Sequence, residues 1–226
     1  MGERYIGAVK YCLLPYFCNK TISMNRILIL FSHPRFEKSR VNRALLEQVG
    51  TMSKVTLHDL YEEYPDFNIH VKREQEILSM HDIIVWQYPF YMYGAPALLK
   101  QWIDLVLEYG WAHGEGGEFL KDKLVFNCLT TGGSRAVYAA DGACRFSLGE
   151  FLLPFRQSAC LCRMIYLPPF TVQGTYLLTQ DDLAHHAEDY RNLLNFLVRG
   201  EYDMDDMRCF PLLNDWLQRK REARQP

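Results

Sequence analysis

Ile83-Ile84-Val85-Trp86-Gln87-Tyr88-Pro89-Phe90-Tyr91-Met92-Tyr93-Gly94-Ala95-Pro96-Ala97-Leu98-Leu99-Lys100-Gln101-Trp102-Ile103-Asp104-Leu105-Val106 joins an apolar run, an aromatic loop and a segment of helical periodicity. Residues 83–87 are apolar up to the final Gln, as in a strand buried on both faces. Behind Pro96, a residue favoured in a first helical turn, Leu98, Trp102, Leu105, Val106 and Tyr109 recur at helical spacing and predict a helix over 97–109. A doubly buried strand followed by a covering helix is the repeating unit of a parallel sheet.

The same unit recurs on both sides of this stretch. Ile27-Leu28-Ile29-Leu30-Phe31 is a second doubly buried strand, and Val41, Ala44, Leu45 and Val49 give the inward face of a helix over 39–49. Residues 55–60 alternate like a strand nearer the sheet edge, and a helix over 71–80 follows the loop Tyr64-Pro65-Asp66-Phe67-Asn68. Downstream, residues 123–129 predict a fourth strand and 147–160 a fourth helix. Residues 163–167 predict a fifth strand stopped by Pro168-Pro169, and 179–198 a fifth helix. Five alternating units with right-handed crossovers form a Rossmann-like or a flavodoxin-like α/β sheet, and both place ligands at the carboxyl ends of the strands. A domain over 24–200 is expected, then a tail, 201–226, that docks briefly and frays at its Arg/Lys-rich end. Residues 1–23 precede a second Met, Met24, and are expected to be an appended, poorly ordered arm, with Met24 as an alternative start.

Composition narrows the function. Of 226 residues 49% are hydrophobic, enough for one sizeable core, and 25 Lys plus Arg against 27 Asp plus Glu leave no basic footprint for nucleic acid. No apolar run approaches the ~20 residues of a membrane-spanning helix. The seven Cys are irregularly spaced and read as reduced thiols in a cytosolic setting. Cys160 and Cys162 lack a second ligand pair, and His185 and His186, adjacent on a helix, point about 100° apart, so no metal site is expected.

Three loops at the predicted carboxyl edge carry chemistry. After the first strand, Ser32-His33-Pro34-Arg35-Phe36-Glu37-Lys38-Ser39-Arg40-Val41-Asn42 delivers Ser39 to a helix start. Unpaired N–H groups and polar side chains there suit a phosphate, although Ser39 alone also reads as an ordinary N-cap. Neither G-x-x-x-x-G-K-[ST] nor G-x-G-x-x-G is present at this turn. After the third strand, residues 88–96 offer aromatic walls for a planar ligand, or else purely structural packing or a dimer contact. After the fourth, Thr130-Thr131-Gly132-Gly133-Ser134 lets backbone donors approach a ligand, or makes a tight turn. A phosphate cradle, an aromatic wall and a row of backbone donors on one edge describe a flavin mononucleotide (FMN) pocket better than any other common ligand.

The elements S-H-P…S-x-x-N, Y-P-F-Y-M-Y-G-A-P-A-L-L-K-Q-W-I-D-L-V and T-T-G-G resemble those of flavodoxin-like NAD(P)H:quinone oxidoreductases. Tyr64-Pro65-Asp66-Phe67-Asn68-Ile69, Arg73-Glu74-Gln75 and Gly110-Trp111-Ala112-His113-Gly114 resemble, more narrowly, the ancillary proteins of bacterial glutathione-regulated potassium-efflux systems. The resemblance covers about residues 25–200 and implies a flavodoxin-like three-layer sandwich, with five parallel strands in the order 2-1-3-4-5. It implies that His33, Ser39, Arg40, Val41 and Asn42 surround the FMN phosphate and ribityl chain. Phe90, Tyr91, Met92 and Tyr93 would flank the ring, and Thr130, Thr131, Gly132 and Gly133 would bond its polar edge. It further implies a homodimer, two-electron reduction of a quinone by NADH or NADPH through flavin N5, and docking on the cytoplasmic domain of a potassium-efflux transporter. That docking would hold a cytoplasmic protein at the inner face of the membrane. Tyr138 stands where related reductases carry a Tyr that supports charge on the flavin, but the His they carry six residues later is Cys144 here. The rival reading is a purely regulatory subunit of that transporter with a structural flavin. A phospho-receiver domain ranks last, because Ser32-His33 supplies no acidic cluster.

Overall fold

The computed structural model describes residues 24–139 and 141–223, so the expectations for 1–23 lie outside the described residues. The strands are β1 (Ile27–Phe31), β2 (Val55–Asp59), β3 (Ile83–Pro89), β4 (Leu124–Thr130), β5 (Ile165–Tyr166) and β6 (Phe170–Val172). They form a parallel sheet in the order β2-β1-β3-β4-β5, with β6 also paired to β4. The helices are α1 (Arg40–Val49), α2 (Leu60–Glu63), α3 (Val71–Ser79), α4 (Ala97–Val106), α5 (Leu148–Phe151), α6 (Leu153–Leu161), α7 (Gln180–Arg199), α8 (Met204–Arg208) and α9 (Leu213–Glu222).

The two-residue period of β1 divides the core. Ile27, Ile29 and Phe31 pack with α1, α7 and α9, while Leu28 and Leu30 face the layer built from α3, α4 and α6. β1, β3 and β4 are buried along their whole length, whereas β2, at the sheet edge, leaves Thr56 and Leu57 exposed. Burying both faces of the central strands fixes their register and holds the loops at their carboxyl ends on a rigid base.

Several boundaries differ from expectation, among them α4, which ends at Val106 rather than 109 and leaves Leu105 and Tyr109 exposed. Pro168-Pro169 does not end the last strand; it divides it. β5 pairs Ile165 with Leu124, and beyond the prolines β6 pairs Phe170 with Cys128 and Val172 with Thr130, further along the same β4. Proline lacks the N–H that a ladder needs, and an edge position tolerates the gap. Among the described residues the sheet therefore has six strands, not five. The fourth helix is also divided, because Leu152 closes α5 and opens α6, where Pro154 fits the first turn. Beyond Gly200, which ends α7 with φ of 68°, the chain forms α8 and α9 rather than one brief docked segment. Met207, Leu213, Trp216 and Leu217 join the α1–α7 side of the core, and Trp216 donates its Nε1–H to Asp206 Oδ2 at 2.9 Å. Among the described residues no helix is long and apolar enough to cross a membrane.

Candidate functional site

The loop leaving β1 begins with Ser32, fully buried, whose N–H donates to Gln87 O at 2.9 Å. Its Oγ has no hydrogen-bond partner among the described residues. A buried hydroxyl without a partner is costly unless a ligand or water completes it. His33 is buried beside it, accepts the Arg35 N–H at Nδ1 (3.1 Å) and meets the Tyr91 ring edge-on at 6.0 Å. Burial lowers the His33 pKa, which favours a neutral ring.

Ser39 caps α1 as predicted, its Oγ accepting from the Asn42 N–H at 3.2 Å and from Asn42 Nδ2 at 3.1 Å. Its own hydroxyl proton stays available to donate. The N–H groups of Arg40 and Val41, in the first turn, have no intrahelical acceptor. The side chains of these residues turn elsewhere: Arg40 reaches Leu178 O at 3.3 Å, and Val41 is buried in the core.

Asn42 is not at the surface of this cradle but beneath it, 0% exposed. Besides Ser39, its Nδ2 donates to Thr130 Oγ1 at 3.3 Å, and its Oδ1 accepts from Gln87 Nε2 at 3.1 Å. Gln87 Oε1 in turn accepts from the Tyr190 hydroxyl at 2.9 Å. This buried chain ties the start of α1 to β3, β4 and α7. Asn42→Ala strands the Gln87 amide and is expected to cost about 1–3 kcal/mol in urea unfolding. A change under about 0.5 kcal/mol would mean that the chain does not hold the loop.

The aromatic loop after β3 is a two-residue turn closed by the reciprocal bonds Tyr91 N–H to Gly94 O (3.1 Å) and Gly94 N–H to Tyr91 O (3.0 Å). Both central residues, Met92 (φ 42°) and Tyr93 (φ 64°), lie in the left-handed region. Non-glycine residues there cost roughly 1–3 kcal/mol each, and such strain gathers at functional sites. The turn separates its side chains. Tyr91 faces His33, Met92 stands 91% exposed at the tip, and Tyr93 stacks on Phe151 at 5.1 Å and 20°. Phe90 is buried below, edge-on to Tyr138 at 5.9 Å and to Phe151 at 5.7 Å.

At the end of β4, Thr130 and the following Thr131 are buried, and the Thr131 hydroxyl donates to Gly133 O at 2.7 Å. Added carbon would crowd this loop: a Cβ at Gly132 meets the Tyr176 ring at 2.7 Å, and one at Gly133 meets the Tyr138 ring at 3.0 Å. Tyr138 ends the short 3-10 helix Arg135–Tyr138, and burial raises its phenol above the ordinary value, keeping it a protonated donor at neutral pH. Cys144 adjoins the same turn, its N–H donating to Val137 O at 3.1 Å.

The sequence reading misses a fourth loop. Ending the strand at Pro168-Pro169 hides residues 173–178, which leave β6 on this same edge. Gly174 N–H donates to Gly133 O at 2.9 Å and Thr175 N–H to Thr131 O at 3.1 Å, so the two loops form one wall. Tyr176, 86% exposed, lies over Gly132, and Gln173 Oε1 is buried without a partner among the described residues. Phe151 is missed as well, although the capping box Ser147-x-x-Glu150 just before it is a legible helix start. The edge thus joins an anion-favouring helix start with an unsatisfied Ser32 hydroxyl, an aromatic wall, and a glycine loop overlain by the exposed Tyr176 ring. These residues fit a phosphorylated planar ligand such as FMN.

Comparisons with known proteins follow the same lines. The profile of a family described as having a flavodoxin-like fold matches residues 25–194. The chain is 42% identical over 165 residues to the glutathione-regulated potassium-efflux system ancillary protein KefG of Enterobacter sp. (strain 638), covering 73% of this chain and 90% of that one. Among solved structures, general stress protein 14 of Treponema denticola, crystallised with FMN, is 38% identical, with a TM-score of 0.73 over 76% of this chain and 99% of that one. An NADPH-quinone reductase from P. pentosaceus is 30% identical, with a TM-score of 0.69 over 75% of this chain and 97% of that one. With the family profile spanning most of its length and the strand order 2-1-3-4-5 in place, the chain belongs to the flavodoxin-like fold family.

Proposed function

We propose that the chain is an FMN-dependent NAD(P)H:quinone oxidoreductase, and that it also serves as an ancillary protein of a glutathione-regulated potassium-efflux transporter. The observation that carries the first part is the unpartnered, fully buried Ser32 Oγ just after β1, on the same sheet edge as the start of α1 and the aromatic and glycine loops. The FMN in the Treponema denticola protein and the name of the P. pentosaceus reductase support it. The KefG name of the Enterobacter protein supports the second part.

In this reading Ser32, Ser39 and the N–H groups of Arg40 and Val41 hold the phosphate, with the field of the helix start favouring its charge. His33 closes this end as a neutral ring, and Asn42 acts from below by fixing Ser39. Phe90, Tyr91, Met92 and Tyr93 bound the ring face, with Tyr91 and Tyr93 as its walls and Met92 at the rim. Thr130, Thr131, Gly132 and Gly133 border its polar edge, where backbone donors meet developing negative charge without reorganising. Tyr138, protonated and next to Gly133, adds a hydroxyl donor there. When bound, the flavin accepts a hydride from the nicotinamide and passes two electrons to the quinone. The chain's part is to orient both substrates in turn and exclude water. The exposed Met92 and Tyr93 at the rim are suited to a second copy of the chain that completes the site in a homodimer. Docking on the transporter would place a cytoplasmic protein at the inner face of the membrane.

An anaerobic absorbance titration tests the reading. Purified protein with FMN is expected to show a flavin band that bleaches with NADH or NADPH and returns with a soluble quinone. Absence of FMN binding would end the reductase proposal. Binding without turnover would favour the second reading, a regulatory subunit with a structural flavin, to which the KefG likeness already points.

A further inference from the structure

The start of α9 lies beyond the 25–194 region of the family profile, and it holds both segments of the glycine-side wall. Leu213 N–H donates to Pro169 O at 2.9 Å. Asn214 Oδ1 accepts the Thr171 N–H at 2.9 Å, and its Nδ2 donates to Thr171 O at 3.0 Å. A single carboxamide thereby takes the place of a neighbouring strand along β6, just before residues 173–178. Asp215 forms a two-pronged ion pair with Arg135, Oδ1 to Nη1 at 2.7 Å and Oδ2 to Nη2 at 2.8 Å. Arg135 opens the 3-10 helix that carries Tyr138, two residues past Gly133.

Surface ion pairs are usually weak, but fork-to-fork geometry fixes direction as well as distance. Here Asp215 is mostly buried, and its helix is anchored by the fully buried Trp216. The two loops are also bonded to each other, through Gly174 N–H to Gly133 O and Thr175 N–H to Thr131 O. Adjacent residues of α9 therefore grip opposite ends of one bonded unit, Asn214 by way of β6 and Asp215 by way of the 3-10 helix.

We infer that Asn214 and Asp215 are positioning residues for the site. They hold segments 132–138 and 173–176 in a single arrangement and so slow release of the flavin. The effect on release rests on the proposed function; the restraint on the loops does not. The side-chain partners of Asn214 and Asp215 are Thr171 and Arg135, neither assigned to the ring or phosphate, so their influence passes through the segments they hold. A local opening of this wall is the path by which ligand leaves, and its frequency falls when both grips are in place.

The test uses the full chain with Asp215→Asn, Asn214→Ala, Arg135→Gln and the charge-exchanged pair Arg135→Asp/Asp215→Arg. Amide exchange at Leu213, whose N–H donates to Pro169 O, reports whether α9 stays docked, and Arg135→Gln leaves α9 itself unaltered if the other variants undock it. In FMN-free protein, amide exchange at Val137, Gly174 and Thr175 is expected to accelerate about tenfold in the single variants, with β1 unchanged. In FMN-loaded protein, the dissociation rate on dilution is expected to rise about tenfold, and the exchanged pair to recover most of it; a tenfold change corresponds to about 1.4 kcal/mol. Unaltered exchange at those amides overturns the inference. Faster exchange with an unaltered dissociation rate overturns its functional half. If wild-type protein binds no FMN, the proposed function fails, and the exchange data alone decide whether α9 restrains the loops.

Discussion

Gly132→Val is expected to yield a folded, colourless protein. Gly132 is not in the left-handed region, so a side chain meets no backbone strain there. The atom its Cβ would strike is Cε2 of Tyr176, at 2.7 Å, the end of a side chain that stands in solvent and can swing away. Stability should therefore change by less than about 1 kcal/mol, as for most surface substitutions. The ligand has no such freedom. In the proposed site the polar edge of the ring approaches the backbone at residues 132 and 133, and two methyl groups would occupy that approach while leaving the donors unpaired. A loss of 100-fold or more in FMN affinity, about 2.7 kcal/mol, is the expected result. Gly133→Ala should act differently, because its Cβ meets the Tyr138 ring between 3.0 and 3.2 Å and must displace a half-buried residue. Fluorescence titration with FMN and a thermal melt separate the two quantities. A Gly132→Val protein that keeps a full flavin band would remove the glycine loop from the site.

How much of this is legible in the sequence depends on whether local pattern or tertiary context decides each residue. Doubly apolar β1 and β3, and the Ser39 cap, are plain, because burial on both faces and capping leave direct marks. Asn42 reads from the family likeness as facing the ligand, yet it lies three, four and seven residues before Leu45, Leu46 and Val49, all on the buried face of α1. That spacing places it inward, and its burial follows from partners, Gln87 and Thr130, that no local pattern reveals. The proline pair at 168–169 reads as a stop, when what it marks is a break between β5 and β6 across which the register against β4 shifts by one residue. The last helix is hidden by its charge: Arg219, Lys220 and Arg221 suggest fraying, while Leu213, Trp216 and Leu217 carry an apolar stripe at helical spacing. Arg219 and Lys220 pair with Asp206, and Arg221 with Asp189. Such pairing cannot be read from one segment alone.

Removing a single carboxylate far from the ligand edge is expected to have the largest effect on stability. Glu74 looks like a solvated residue of a charged helix, but it is 0% exposed. Three buried donors converge on it: His58 Nε2 at 3.0 Å from both oxygens, the Tyr64 hydroxyl at 2.5 Å and Trp102 Nε1 at 2.8 Å. The group joins β2, α3 and α4, the helix that receives the chain from the aromatic turn. Burial alone would raise the Glu74 pKa; the bonds from His58, Tyr64 and Trp102, with the His58 charge, outweigh it and hold the carboxyl below its ordinary 4.5. Glu74→Ala leaves three donors without an acceptor and is expected to cost about 3–5 kcal/mol. Glu74→Gln, which turns an amide donor toward donors already present, should cost nearly as much despite its matching volume. The sign of the pH dependence follows from the lowered pKa. The unfolded chain takes up the proton more readily, so the stabilisation is complete above pH 4.5 and is lost as pH falls through the folded-state value. Urea unfolding of wild type and Glu74→Ala at pH 7 should therefore differ by the full amount, and the gap should narrow as the pH is lowered below 4.5. A gap that stays constant down to about pH 3 would mean that Glu74 binds its proton equally in the folded and unfolded chains, and that packing rather than its ionisation holds these elements together.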